Sequence, residues 1–129
     1  MSSFTLEIQL SDSYLVAKGY GRRNTLAEVL EGTRQIAMAL SETKSKYLLV
    51  DYSEVVTRLL ATDAFNIVRI YESRVSEFQD IVMAVVINPA EEQFDAFWEK
   101  ICRIRGYQFK IFTDRQAAED WLKDKIDQH

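Results

Sequence analysis

The stretch LLVDYSEVVTRLLATDAF, residues 48–65, brings a carboxylate and several hydroxyl groups together after a run of apolar residues. Asp51, Ser53, Thr57 and Thr62 are the polar residues that could do chemistry there. The stretch could be a switch, a catalytic site, or a capped connection between a strand and a helix.

A second polar stretch, GYGRRN at residues 19–24, could bind an anion. Spaced glycines and two arginines precede a predicted helix, so free amides and guanidinium groups could hold a negatively charged group. The chain has neither GxGxxG nor GxxxxGK[ST], the patterns typical of phosphate loops. A solvated loop is the alternative interpretation of the same residues.

Nucleophilic and metal-dependent catalysis find no support in the residue types. The single histidine, His129, is the last residue, so no Ser–His or Cys–His relay can be built in a core. Cys102 lies one residue from the apolar stripe of a predicted helix, where packing is the usual role of a cysteine. HExxH, CxxC and DxDxDG are all absent. We therefore predict no catalytic residues, no metal and no cofactor.

Composition narrows the class of protein further. The 129 residues suffice for one domain over 1–129, and a formal net charge of −4 argues against a nucleic-acid partner. Apolar runs such as residues 81–87 are too short to span a bilayer, and residues 1–10 lack the features of a signal peptide. A single cysteine excludes an internal disulfide. These features predict a cytoplasmic protein.

Hydrophobic patterning predicts five strands and four helices. Thr25 and Glu28 have the spacing of a capping box before the first helix, and Thr113 and Gln116 have it before the last. The predicted strands are 4–10, 14–21, 46–52, 81–87 and 107–112, and the later helices are 62–77, 88–106 and 113–126.

The predicted order is β-β-α-β-α-β-α-β-α, which indicates an α/β fold with a mixed, mostly parallel five-stranded sheet and four helices. We expect the first strand to be antiparallel to the second, and residues 81–87 to form a strand covered on both faces. Ligands in open α/β sheets bind at the carboxyl ends of the strands. We expect the residues that follow these strands to converge at that edge: 21–24, 51–53, Asn88, Thr113 and Asp114.

Three segments carry a family resemblance: YLLVDYSEV, IVMAVVI and ICRIRGYQFKIFTDRQAAEDWL. From about residue 14 onward the chain resembles the STAS domain (sulphate transporter and anti-sigma-factor antagonist), in its divergent bacterial STAS/Sec14-like branch. The resemblance implies a β/α superhelix with consecutively ordered strands. It also implies a non-catalytic role in binding a protein partner, while some members of the family bind nucleotides or lipids.

The family's phosphorylated D-S-x-G motif does not carry over to this chain. Counted from Asp51, the positions of its Asp-Ser pair hold Leu59 and Leu60, which either belong to an apolar contact surface or are buried. Asp63 follows Thr62 instead of preceding it, and no glycine comes after. We predict Thr62 as a helix N-cap, with a phosphoacceptor as the alternative, and Ser53 as a turn residue after the strand.

Two functional hypotheses follow. The first is a regulatory protein-interaction domain of the anti-sigma-factor-antagonist type, with contacts in loop 52–62 and helix 62–77 and with self-association as a dimer included; its residues are Ser53, Thr57, Arg58, Leu59, Thr62 and Asp63. The second is a carrier of a small ligand, a lipid or an anionic metabolite, at Arg22, Arg23, Asn24 and Asn88. An enzyme ranks third, because no acid, base and nucleophile can be named at reachable positions.

Overall fold

The protein contains a five-stranded sheet whose strands lie in chain order. The structure is a computed structural model, and it describes residues 4–11, 13–23, 25–57, 66, 69, 80–89 and 108–128. The first strand runs antiparallel to the second, and all later neighbours are parallel. This confirms the predicted mixed, mostly parallel sheet. The strands are β1 (Phe4–Leu10), β2 (Leu15–Arg23), β3 (Tyr47–Thr57), β4 (Val82–Ile87) and β5 (Gln108–Phe112).

Helix α1 (Leu26–Thr43) begins at the predicted capping box. The Glu28 amide donates to the Thr25 hydroxyl over 3.2 Å, and the Thr25 amide donates to the Glu28 carboxylate over 3.2 Å. Two orphan amides of the helix start are thereby satisfied.

Helix α2 (Arg115–Asp127) begins two residues after the predicted start at residue 113, and its N-cap lies one residue later than predicted. Its N-cap is Asp114, whose carboxylate accepts the Ala117 amide over 3.1 Å, so the capping box predicted for Thr113 and Gln116 is wrong. A carboxylate is the stronger acceptor, and its negative charge suits the positive end of a helix dipole. Asp114 is therefore a better N-cap than the neighbouring Thr113.

Two helices lie within the described residues, compared with four in the prediction. The predicted helices 62–77 and 88–106 lie outside the described residues, except for Asn66 and Arg69 in the first and Asn88 and Pro89 in the second. The α/β class and the five-stranded sheet are confirmed. None of the helices in the described part of the chain is long and apolar enough to cross a membrane.

The two helices cover opposite faces of the sheet. Ile36 and Leu40 of α1 pack on one apolar cluster, and Ala118 and Leu122 of α2 pack on the other. Strand β4 contributes to both clusters and is buried at nearly every position, as expected for a covered inner strand. The sheet residues of the α1 cluster include Leu15, Ala17, Leu48, Val50 and Val85, and those of the α2 cluster include Leu49, Val82, Ala84 and Val86.

Strands β2 and β3 both run further than the sequence predicted. β3 pairs with β4 only as far as Tyr52, opposite Ile87, but it continues beside β2 until Thr57 lies opposite Arg23. We call residues 20–23 and 54–57 the β2–β3 extension. The first part of the predicted loop 52–62 is therefore strand.

Three placements are corrected by this extension. Ser53 was expected in a turn after the strand and lies within β3, while Arg22 and Arg23 were expected in a loop and are the last residues of β2. The predicted ends fell where polar residues begin. Mutual pairing of the two strands instead satisfies the backbone amides and carbonyls beyond that point.

Helix α1 ends on a residue with unfavourable backbone geometry. Lys44 has φ 55° and ψ 29°, the left-handed conformation that glycine adopts without strain. We expect Lys44→Gly to raise the free energy of unfolding by about 1 kcal/mol. Urea titration measures this change, and Lys44→Ala is the control because it removes the lysine but keeps the strain. A glycine variant no more stable than the alanine variant would contradict the explanation.

Candidate functional site

A β-bulge in β3 sets the geometry of the candidate site. From Lys18 to Tyr20, β2 advances two residues, while its partner β3 advances three, from Asp51 to Glu54. Two residues of β3, Tyr52 and Ser53, therefore lie opposite the single residue Gly19 of β2. Residues three apart in a regular strand face opposite sides of the sheet, but the bulge turns both carboxylates toward Lys18.

Asp51 is the centre of a buried polar cluster. Its side chain is 3% exposed. One carboxylate oxygen, Oδ1, accepts the Ser53 hydroxyl over 2.6 Å and the Ser53 amide over 3.1 Å. The other, Oδ2, accepts Arg115 Nη1 over 3.2 Å and lies 4.0 Å from Lys18 Nζ. The cluster thus joins β2, β3 and the first turn of α2.

Two further acids complete the charge pattern around this centre. Lys18 Nζ lies 3.5 Å from Glu54 Oε2, and Arg115 Nε donates to Glu119 Oε1 over 3.1 Å. Each cation is therefore shared between Asp51 and a second, more exposed carboxylate. The cluster forms a continuous network from β2 to α2.

The electrostatics keep Asp51 ionised. Burial by itself would raise the pKa of Asp51, but the hydrogen bonds from Ser53 and the charges of Lys18 and Arg115 outweigh it, and the pKa is lowered. A carboxylate with a lowered pKa and both oxygens engaged is a weak base. The arrangement suits a structural role for Asp51.

An aromatic cluster occupies the opposite face of the same strands. The Tyr52 ring meets the Phe4 ring edge-on at a centroid distance of 5.9 Å, and the Arg23 guanidinium lies 4.6 Å from the Tyr52 centroid. Burial raises the pKa of Tyr52, and the charge of Arg23 partly offsets that effect. The phenol is therefore neutral at physiological pH.

The partner-binding residues predicted from sequence fall into two groups. Ser53 lies in the bulge and Thr57 is the last residue of β3. The remaining four, Arg58, Leu59, Thr62 and Asp63, lie outside the described residues. The described part of the prediction thus falls on the β2–β3 extension and its base.

The residues predicted to bind an anion do not converge as expected. Arg22 and Arg23 are consecutive in β2, so their side chains point to opposite faces. Arg22 is exposed, whereas Arg23 lies over the rings of Tyr52 and Phe4. Asn88 follows β4 and is half-buried, and Asn24 lies outside the described residues.

Sequence reasoning missed Lys18, Glu54 and Arg115. Lys18 reads as an ordinary polar position of an alternating strand, and Arg115 is separated from Asp51 by 64 residues. Only the strand register and the docking of α2 bring them together. Within the residues that the structure describes, no group of three or more metal-ligating side chains could hold an ion.

Comparison with known proteins gives matches of structure. No protein-family model and no curated protein matches the chain. An anti-sigma factor antagonist from Mycobacterium paratuberculosis superposes with a TM-score of 0.61 at 17% identity, covering 94% of this chain and 95% of that one. The fold is therefore STAS-like. A Shewanella loihica PV-4 protein with a SpoIIAA-like fold superposes with a TM-score of 0.54 at 22% identity, covering 95% of this chain and 98% of its own.

The STAS-like fold confirms the resemblance found in the sequence, including the consecutive order of the strands. At these identities the comparisons establish the architecture alone. The functional residues must be argued from the geometry of this chain.

Gly19 leaves room for the Tyr52 ring opposite the bulge. A Cβ built on Gly19 would lie 2.8 Å from two carbon atoms of that ring and 2.9 Å from Phe4 Cε2. We expect Gly19→Ala to lower the free energy of unfolding by about 1–3 kcal/mol, because the rings must shift from their packed positions. Thermal or urea unfolding measures the loss.

Gly32→Ala in α1 is the control for that experiment. Its Cβ would meet Phe4 Cε1 at 3.2 Å, a milder contact, and alanine in a helix interior gains about 1 kcal/mol over glycine. We expect a change near zero. Equal losses at Gly19 and Gly32 would contradict the account of Tyr52 packing.

The depressed pKa of Asp51 predicts a specific pH dependence of stability. The pKa of Asp51 is lower in the folded chain than in the unfolded chain. The ionised carboxylate therefore stabilises the fold fully at pH values above the pKa of the unfolded aspartate, about 3.9. This contribution is lost as the pH falls through the folded value. We expect Asp51→Asn to cost about 2–3 kcal/mol at pH 7 and to flatten the acid limb of the stability profile.

Glu31→Gln is the matched control, measured by urea titration from pH 2 to pH 8. A hydrogen bond from Arg34, assisted by Gln35, lowers the pKa of Glu31 to about 2, but both partners of the ion pair are exposed. Solvent screening should make its effect much smaller. Similar losses in both variants would show that burial of Asp51 is not the cause.

Proposed function

We propose that this chain is a regulatory protein-interaction domain that acts by contact with another protein and performs no turnover. Its STAS-like fold, shared with an anti-sigma factor antagonist, supports this class of role. The ionised, fully engaged Asp51 supports a site without a general base. We propose a bacterial cytoplasm as the setting of this role, in keeping with the single cysteine.

The β2–β3 extension gives the main support for a protein-contact role. Its strands continue past the end of β4, with Val55 buried on one face and charged side chains exposed on the other. Arg22 is exposed, and the Glu54 side chain is 58% exposed. Exposed charges of opposite sign favour specificity and fast encounter with a complementary protein surface.

The segment after Thr57 extends the proposed contact surface. Arg58, Leu59, Thr62 and Asp63 follow the extension directly in the chain, and Leu59 would add an apolar contact to the charged ones. We propose that Ser53 and Thr57 form the base and the end of the surface on β3.

We propose that the contact works without a phosphoserine switch. The D-S-x-G pattern is missing after Asp51. The Ser53 hydroxyl already donates to Asp51 over 2.6 Å, and a phosphate there would stand beside the carboxylates of Asp51 and Glu54. Like-charge repulsion would oppose that modification. Thr62 as a phosphoacceptor stays a prediction.

Two other hypotheses have weaker support. A small-ligand site at Arg22, Arg23, Asn24 and Asn88 stays a prediction. Its support is weak because the two arginines point to opposite faces of β2 and could not hold one anion together. Self-association as a dimer likewise stays a prediction.

Site-specific photo-crosslinking in the native host tests the contact surface. A photoreactive residue at position 54 should capture a discrete protein species, whereas the same residue at Lys123, exposed on α2, should not. Mass spectrometry then identifies the species. Capture of this chain alone at position 54 would replace the proposed partner with a second copy.

Charge reversal then tests the energetics with the identified partner. We expect Glu54→Lys and Arg22→Glu each to weaken binding about tenfold or more, roughly 1.4 kcal/mol, with Lys123→Glu unchanged in calorimetric titration. Equal affinities across all three variants would refute the proposed surface.

A further inference from the structure

The contacts of Asp51 connect helix α2 to the base of the β2–β3 extension. We propose that Arg115 is a positioning residue for this extension: it holds Asp51 in the orientation that closes the bulge, and so fixes the direction in which residues 54–57 leave the sheet. This inference deepens the proposed function, on which its relevance to partner binding rests.

The first link is between Arg115 and Asp51. Arg115 Nη1 donates to Asp51 Oδ2 over 3.2 Å, and Arg115 Nε donates to Glu119 over 3.1 Å. The Glu119 contact comes from the same helix and fixes the plane of the guanidinium group. Arg115 therefore presents its second donor to Asp51 from a defined position.

The location of Arg115 supports this link. It occupies the first position of α2, where a positive charge opposes the helix dipole. Two carboxylates compensate it, and the buried one is Asp51, whose side chain is 3% exposed against 41% for Arg115. The interaction therefore matters most for the orientation of the buried partner.

The second link is between Asp51 and the bulge. Asp51 Oδ1 accepts both the amide and the hydroxyl of Ser53, so one oxygen fixes the backbone and the side chain of the extra residue. A bulge bends its strand and increases the local twist. Since β3 pairs with β4 only as far as Tyr52, the bulge lies where the extension begins.

Lys18 is a weaker candidate for the same role. Its Nζ lies 4.0 Å from Asp51 Oδ2 and is closer to Glu54, at 3.5 Å. It contacts both sides of the bulge and belongs to the strand already paired with it. Arg115 is the cation that brings a separate element, α2, into the network.

Amide hydrogen exchange of the free protein tests the inference. We expect Arg115→Gln to speed exchange at Ser53–Thr57 by about tenfold or more relative to Leu48–Val50 of the same strand. Arg115→Lys should recover part of the protection at Ser53. Unchanged exchange at Ser53–Thr57 in the glutamine variant would overturn the inference.

Two matched variants separate positioning from general destabilisation. Leu122→Val weakens the docking of the same helix without touching Asp51, so it should leave the exchange contrast within β3 unchanged. Arg115→Gln combined with Asp51→Asn should match Asp51→Asn alone, since both act through one contact. A Leu122→Val pattern like that of Arg115→Gln, or additive effects in the double variant, would refute positioning.

The partner protein, once identified, gives an independent reading of the proposed function. Faster exchange together with weaker partner binding in Arg115→Gln would support both claims. Faster exchange with unchanged binding would uphold Arg115 as a positioning residue and overturn the extension as the contact surface.

Discussion

A carboxylate removed from water is stable only when charges and hydrogen bonds replace its hydration, and Asp51 imposes this requirement on the chain. Lys18, Ser53 and Arg115 meet it from three different elements. The register of β2 against β3, the extra residue in β3 and the docking position of α2 must all be correct at once. One buried side chain thereby specifies details that apolar packing leaves open.

The apolar parts of the protein have a simpler role. Two clusters on opposite faces of the sheet supply burial, and many combinations of valine, leucine and isoleucine would fill them. Past the end of β4, the extension keeps one buried apolar side chain, Val55, and adds the exposed charges of Arg22 and Glu54. The two apolar clusters stabilise the sheet, while the charged residues of the β2–β3 extension determine the surface exposed at its end.

Sequence patterns correctly predicted those features that depend only on residues close together in the chain. The strand at residues 4–10, the capping box of Thr25 and Glu28, and the apolar strand within residues 81–87 each depend on residues within a few positions, and each was confirmed. The ends of β2 and β3 depend on each other across more than thirty residues of chain, since Arg23 pairs with Thr57. Polar composition there indicated loops, and strand pairing overrode it.

The candidate site divides in the same way. Asp51 and Ser53 were recognisable as polar residues after a buried run, but their true partners were invisible without the register and the position of α2. Arg22 and Arg23 show the reverse error, because adjacency in the sequence suggested one site while the strand separates their side chains.

The bulge also changes which positions of β3 face the core. Upstream of it the even-numbered Leu48 and Val50 face α1, whereas downstream the odd-numbered Val55 is buried opposite Gly21. Removing the extra residue there would leave Glu54 two positions after Asp51, so regular alternation would keep Glu54 opposite Tyr20 and Val55 packed opposite Gly21. The bulge thus allows two related proteins to differ by one residue in length at this point while the same side chains of β3 stay buried.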